Sequence, residues 1–172
     1  VIAAMRQSAQ RMSALVNNLL DMARLQAGAV QLNRAWQPLE EVVGSALAAC
    51  GDTLEGREVR VDLPEDLPLL KIDAVLFERV LVNLLENAAK YTPAESPIDI
   101  SASAHSDRVD IVMDDHGPGL PKGGEERVFE KFERGQRESA TPGVGLGLAI
   151  CRAIVSAHDG TIQGQNRTKA GS

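Results

Sequence analysis

The stretch that most constrains this chain runs from Asp73 to Pro93. Phe77, Leu81, Leu84, Leu85 and Ala88 recur at helical spacing and gather on one arc of a helix. At about 100° per residue, Asn83, Asn87 and Lys90 fall within roughly 60° of one another, on a separate stripe roughly 120° away. Asp73 suits the N-cap, and Pro93 forces the helix to stop near Tyr91. Such a helix must bury one face on a core while the other presents two carboxamides and an ammonium. That second face has two readings. It is either a solvated polar surface or a place for a magnesium nucleotide, because amide oxygens are hard ligands for Mg²⁺ and lysine suits phosphate.

The flanking sequence supplies partners for the apolar arc. Val30, Leu32 and, after the out-of-phase Arg34, Trp36 predict a short strand. Pro38 then precedes an amphipathic helix through Leu39, Val42, Val43, Ala46, Leu47 and Cys50. Val59, Val61 and Leu63 alternate as a second strand, with a third expected within 67–72. Ile98, Ile100 and Ala102, and then Val109, Ile111 and Met113, predict two antiparallel neighbours joined by a polar turn at Ser106 and Asp107. Strands and helices mix without regular βαβ spacing. The expected class is α+β, with helices on one face of a mostly antiparallel sheet.

Upstream, Ile2, Met5, Ala9, Met12, Val16, Leu19 and Ala23 are spaced as a heptad seam, and Gly28 suits its C-terminal cap. The strict seam favours half of a dimeric helical bundle over an ordinary core helix. The chain opens inside this pattern without an initiator methionine and is read as a piece of something longer. Its net charge of −6 and lack of a long basic run argue against nucleic acid as a partner. Neither a membrane-length apolar run nor a signal peptide is present, and a cytoplasmic location is expected. Cys50 and Cys151 lie far apart in predicted helices and suit reduced, packed thiols.

Beyond Asp114 the chain turns glycine-rich. Asp115-His116-Gly117-Pro118-Gly119 follows directly on a strand and puts an acidic side chain beside two glycines that admit close backbone approach, although a plain turn uses the same residues. The segment 121–142 is mostly charged and small, interrupted by Val128, Phe129 and Phe132, and its length suits a lid. Gly143, Gly145 and Gly147 then open an apolar helix from Leu148 to His158, where backbone N–H groups can cradle phosphate. The run is neither a Walker A loop, lacking Gly-Lys-Ser/Thr, nor a dinucleotide fingerprint, lacking βαβ context.

In this order the stretches resemble the four boxes of the sensor histidine kinase ATP-binding domain. Asn83 to Tyr91 is similar to the asparagine box and Asp115-x-Gly117-x-Gly119 to the first glycine box. Phe129-Glu-Lys-Phe132 is similar to the phenylalanine box, and Gly143-x-Gly145-Leu146-Gly147-Leu148 to the second glycine box. The stretches 15–24, Phe77-Glu-Arg-Val80 and 142–152 are closer still to a potassium-responsive branch of that family. The resemblance implies a two-layer α/β sandwich of the histidine kinase, Hsp90 and gyrase B type over residues 29–172. Residues 1–28 would be the second helix of the dimerisation and phosphotransfer bundle.

The resemblance also implies ATP and Mg²⁺ as cofactors. Asn87, with Asn83, would supply oxygen to the metal, Lys90 would contact phosphate, and Tyr91 would lie against the nucleotide. Asp115 would accept the adenine amino group's hydrogen bond in a pocket shaped by Gly117 and Gly119. Gly143, Gly145 and Gly147, with Leu146 and Leu148, would line the phosphates under a lid pinned by Phe129 and Phe132. Arg134 would bring a charge to the γ-phosphate. The implied reaction moves the γ-phosphoryl group to a bundle histidine and then to an aspartate of a response regulator, within a homodimer. The whole would be the cytoplasmic portion of an inner-membrane sensor, touching the membrane only through parts outside this chain.

Two features depart from the family pattern. His105, His116 and His158 are the only histidines, and none stands in the expected His-Glu/Asp-x-x-Thr/Asn-Pro context, so the acceptor is expected upstream of Val1. The chain also stops soon after a strand expected near Thr161 and Ile162, before a last strand that the family usually adds. Two alternatives stand beside the kinase. A hydrolase of the gyrase or Hsp90 kind would carry a glutamate one turn before the metal-binding asparagine, where this chain has Asn83. A nucleotide-binding module without chemistry would show the same motifs.

Overall fold

Asp73 begins the central helix as the sequence predicts: its carboxylate accepts the Leu76 N–H at 3.2 Å and, from 40 residues upstream, the Asn33 N–H at 3.0 Å. These contacts are seen in a computed structural model that describes residues 31–119 and 147–166, together with 5, 9, 12, 13, 16, 17, 19–24, 27, 28 and 129. The chain divides into two compact units, Asn33–Leu120 with Gln165–Ser172, and Val1–Leu32 with Pro121–Gly164.

In the first unit, β1 (Ala35–Gln37) pairs antiparallel with β3 (Leu70–Ile72). Between them come α1 (Leu39–Ala49) and β2 (Val59–Asp62), and after them α2 (Ala74–Tyr91), β4 (Ile98–Ala104) and β5 (Val109–Asp114). A three-stranded sheet runs in the order β2, β4, β5. The β4–β5 pair is the expected antiparallel hairpin, closed by the His105 N–H donating to the Arg108 carbonyl at 2.8 Å. By contrast, β2 lies parallel to β4, with Val59 opposite Ile98 and Asp62 opposite Ser101. Strand alternation carries no information on pairing order, and the connection through β3 and α2 gives the long crossover that a parallel pair needs.

The core forms between the two helices and that sheet. Leu39, Val42, Val43 and Ala46 of α1 and Leu81, Leu85 and Ala88 of α2 pack with Ile98, Ile100 and Ala102, which alternate inward along β4. Leu85 and Ile98 are fully buried, each contributing about 1.5–3 kcal/mol relative to exposure. The arrangement is the two-layer α+β sandwich expected. Of the strand expected through Val30, Leu32 and Trp36, Val30 lies outside the described residues; among those described, Ala35–Gln37 pair with β3, and Trp36 is 64% exposed on this two-stranded ribbon.

In the second unit, α3 (Gly147–Ala157) buries Ala149, Ile150, Cys151, Ile154 and Val155. It ends where the sequence predicts, in a left-handed Asp159 (φ 62°) with the Gly160 N–H donating to the Val155 carbonyl at 3.0 Å. Among the described residues, Thr161 and Ile162 find no ladder partner, so the strand expected there is not formed. The described residues at 5, 9, 12, 13, 16, 17 and 19–24 are helical. Met22 packs against Ala149, while the seam residues Met5, Met12, Val16 and Leu19 are exposed. Among the described residues no helix is long and apolar enough to cross a membrane.

Candidate functional site

The polar stripe of α2 is realised as drawn. Leu81, Leu85 and Ala88 are buried on one side, and Asn83, Asn87 and Lys90 are half-buried on another. The Asn83 Nδ2 is fully buried and has no hydrogen-bond partner among the described residues. A buried donor left unmade costs about 1–3 kcal/mol, so this amide suits a site completed by a ligand's acceptor oxygen. Two carboxamides four residues apart offer oxygen to a hard cation and N–H groups to phosphate, and thus fit a magnesium nucleotide. Lys90 Nζ stands 4.7 Å from the centroid of the Tyr91 ring, and Tyr91 is itself partly exposed at the end of the helix. Glu86 is exposed, as a residue on a different face should be.

At the end of β5 the chain folds into a tight turn. The Asp115 Oδ1 accepts the Gly117 N–H at 2.8 Å, and Asp114 Oδ1 accepts the His116 N–H at 3.2 Å. His116 is left-handed (φ 52°), and its Nε2 lies 2.5 Å from Asp99 Oδ2 on β4. Gly117 has no room for a side chain: a Cβ there would lie 2.7 Å from Thr92 Cγ2 and 3.0 Å from Asp115 Oδ1. Gly119 is left-handed (φ 83°), and a Cβ on it would meet Asn166 Oδ1 at 2.8 Å. Gly117 is therefore required by close approach and Gly119 by its backbone conformation, since the exposed Asn166 side chain can swing aside.

Thr92 brings the two halves of this site together. It follows α2 directly, is buried, and its methyl faces the turn that carries Asp115. Sequence reasoning missed it, and missed Arg57, whose guanidinium reaches Thr92 across 35 residues. Neither lies in a periodic pattern. The one hint was Thr92 itself, a hydroxyl residue between a helix end and a proline.

The other expected residues fall in the second unit or outside the described residues. Phe129 is buried there, with Arg152 Cζ 5.2 Å from its ring centroid. Gly147 and Leu148 form the first turn of α3 and are half-buried. Phe132, Arg134, Gly143, Gly145 and Leu146 lie outside the described residues. All three histidines are engaged in local contacts: His105 with Asp110 at 3.0 Å, His116 with Asp99, and His158 with the Ile154 carbonyl at 2.8 Å. Neither cysteine is in a disulfide and both are buried, and burial pushes the Cys50 thiol up, reinforced by Glu86 and Glu78.

A helix with an amide stripe and an acidic glycine turn at a strand end thus stand on a two-layer sandwich, and the sequence profile places this arrangement in a family. The family described as "Histidine kinase-, DNA gyrase B-, and HSP90-like ATPase" matches residues 72–172, and the chain belongs to it. Within that family the resemblance narrows to the sensor kinases. The chain is 52% identical to the sensor protein KdpD of Escherichia coli over 97% of its own length and 19% of that protein's. It thus spans about a fifth of the length of that relative. Among solved structures, full-length ShkA in complex with AMPPNP superposes with a TM-score of 0.79 at 30% identity, covering 95% of this chain and 36% of that one. The Acinetobacter baumannii histidine kinase AdeS shares the fold, with a TM-score of 0.72 at 24% identity over 91% of this chain and 72% of its own.

Proposed function

We propose that this chain is the catalytic ATP-binding portion of a two-component sensor histidine kinase. It would bind Mg-ATP and deliver the γ-phosphoryl group to a histidine on a bundle helix, for relay to an aspartate of a response regulator. Asn87 and Asn83 would hold Mg²⁺, whose charge neutralises the phosphate oxygens when bound. Lys90 contacts phosphate, Tyr91 lies beside the nucleotide, and Asp115 accepts the adenine amino hydrogen bond. Gly143, Gly145 and Gly147 line the phosphates, flanked by Leu146 and Leu148, with Phe129 and Phe132 anchoring the lid and Arg134 reaching the γ-phosphate. With so little covalent work for the protein, these groups act by positioning and charge neutralisation.

The observation that carries the reading is Asn83. It stands one helical turn before Asn87 with a buried amide nitrogen that no described residue hydrogen-bonds, where a hydrolase would need a carboxylate to activate water. An amide cannot serve as a general base. The acceptor histidine nitrogen instead attacks the γ-phosphorus, the bond to the β-phosphate oxygen breaks, and ADP leaves. None of His105, His116 and His158 serves as acceptor, each having its own local partner. The exposed seam through Met5, Met12, Val16 and Leu19 supports a homodimer formed through the bundle. The likeness to KdpD supports a role in potassium or osmotic signalling, with membrane attachment through segments outside this chain.

The experiment is incubation with γ-labelled ATP of this chain, of a bundle fragment bearing the acceptor histidine, and of the two together. Label is expected only in the mixture, on the bundle fragment. Label on this chain alone would reassign its histidines, and no label in the mixture would favour a binding module without chemistry.

A further inference from the structure

The phosphate-facing helix and the base-facing turn are separate elements, and a nucleotide can bridge them only if the distance between them is fixed. Among the described residues, Thr92 links them: its methyl lies against Gly117, and Arg57 holds its hydroxyl. Arg57, half-buried in the loop between α1 and β2, donates through Nη1 to Thr92 Oγ1 at 2.6 Å and to the Ser96 carbonyl at 2.9 Å. Through Nη2 it donates to the carbonyls of Ala89 at 3.3 Å and Thr92 at 3.2 Å. The acceptors belong to the last turn of α2 and the loop after it, so a planar cation sits on the negative end of the helix dipole and satisfies carbonyls that the helix leaves open. Thr92 Oγ1 also donates to the Ala88 carbonyl at 2.6 Å, which fixes its rotamer. With the hydroxyl so held, the Thr92 methyl can point only one way, toward Gly117, against the turn that carries Asp115.

We propose that Arg57 and Thr92 are a positioning pair: Arg57 locks the C-terminal turn of α2, which carries Asn87, Lys90 and Tyr91, and the Thr92 methyl seats the Asp115–Gly117 turn at a fixed spacing from it. This inference rests on the nucleotide reading of the site. Neither residue touches the nucleotide in that reading; both act through others. The need for glycine at 117 follows from the same contact, because the space a Cβ would take is already filled by Thr92 Cγ2.

Mg-ATP affinity, measured by calorimetry on the whole chain, tests the pair, with fold checked by circular dichroism. Arg57→Ala is expected to bind about tenfold more weakly, the equivalent of one charge-assisted hydrogen bond's worth of positioning. Val43→Ala, which weakens the core away from the clamp, controls for general destabilisation and is expected to bind as the parent does. Gly117→Ala is expected to weaken binding by more than about tenfold, and adding Thr92→Ser, which removes only the methyl, is expected to recover at least about half of that loss on a logarithmic scale. Recovery on removing one methyl is not a result that a merely structural role produces. Parent-like affinity in Arg57→Ala, an equal loss in Val43→Ala, or no recovery in the double variant would each overturn the proposal. Should Arg57→Ala fail to fold, the Gly117 and Thr92 variants decide alone. Failure of the parent chain to bind Mg-ATP would instead overturn the nucleotide reading itself.

Discussion

Two residues on α2, two positions apart, should respond to truncation in opposite ways. Leu85 is fully buried among residues of α1, β3 and β4, and Asn87 is half-buried on the polar stripe. Leu85→Ala removes three carbons from a filled core and leaves a cavity, for a cost of about 3–5 kcal/mol. For a chain of this size that lowers the unfolding midpoint by about 2–4 °C per kcal/mol, roughly 10 °C in all. Asn87→Ala removes an amide from a partly exposed face and gains helix propensity of about 0.6 kcal/mol, so its net effect should stay within about 1 kcal/mol. Thermal unfolding followed by circular dichroism, beside calorimetric titration with ATP with and without Mg²⁺, separates the two. The folded fraction of Leu85→Ala should bind as the parent does, whereas Asn87→Ala should keep its midpoint and lose the Mg²⁺-dependent part of its affinity. An Asn87→Ala variant that melts as early as Leu85→Ala, or that binds Mg-ATP unchanged, would refute the division of this helix into a core face and a ligand face.

Other consequences follow from single contacts. Asp73→Ala removes a carboxylate that accepts from both Leu76 and Asn33, and should cost about 1–2 kcal/mol in chemical denaturation, with Asp73→Asn recovering much of it. The thiols of Cys50 and Cys151 should resist an aromatic disulfide reagent in the folded protein and both react once it is unfolded; rapid labelling of Cys50 in the native state would contradict its burial. The Arg108 guanidinium holds the Asp110 carboxyl below the usual range by its hydrogen bond, so the associated stabilisation is present above the unfolded-state value and fades as pH falls through it and below. Arg108→Gln should move the Asp110 midpoint back upward in an NMR titration.

The legible parts of this chain were those whose signals are local. The α2 helix announced itself through its period, its capping aspartate and the following proline, and β4 and β5 through strict alternation on either side of a polar turn. The parallel pairing of β2 with β4 was hidden, since alternation shows which side of a strand is buried and not which strand lies beside it. Trp36 falls in a strand as expected, but nothing in the sequence showed that β1 pairs with β3 in a two-stranded ribbon that leaves its ring exposed. Of the residues proposed for the site, Asn83, Asn87, Lys90 and Asp115 could be singled out because each sits in a short spaced motif. Arg57 and Thr92 could not: their contact joins residues 35 apart, and no periodicity connects a loop arginine to a helix end. Tertiary hydrogen bonds of that kind become readable only once the backbone is in place.

The central claim is that Asn83 makes this a site for delivering phosphate to another protein group and not to water. The most direct test measures, in one reaction with γ-labelled ATP, label transferred to an added bundle fragment and free phosphate released, in the presence of Mg²⁺. The prediction is acid-labile, alkali-stable label accumulating on the histidine of the bundle fragment, with free phosphate appearing more slowly and both falling in Asn87→Ala. Free phosphate released at the same rate with and without the bundle fragment, and no label on its histidine, would contradict the account.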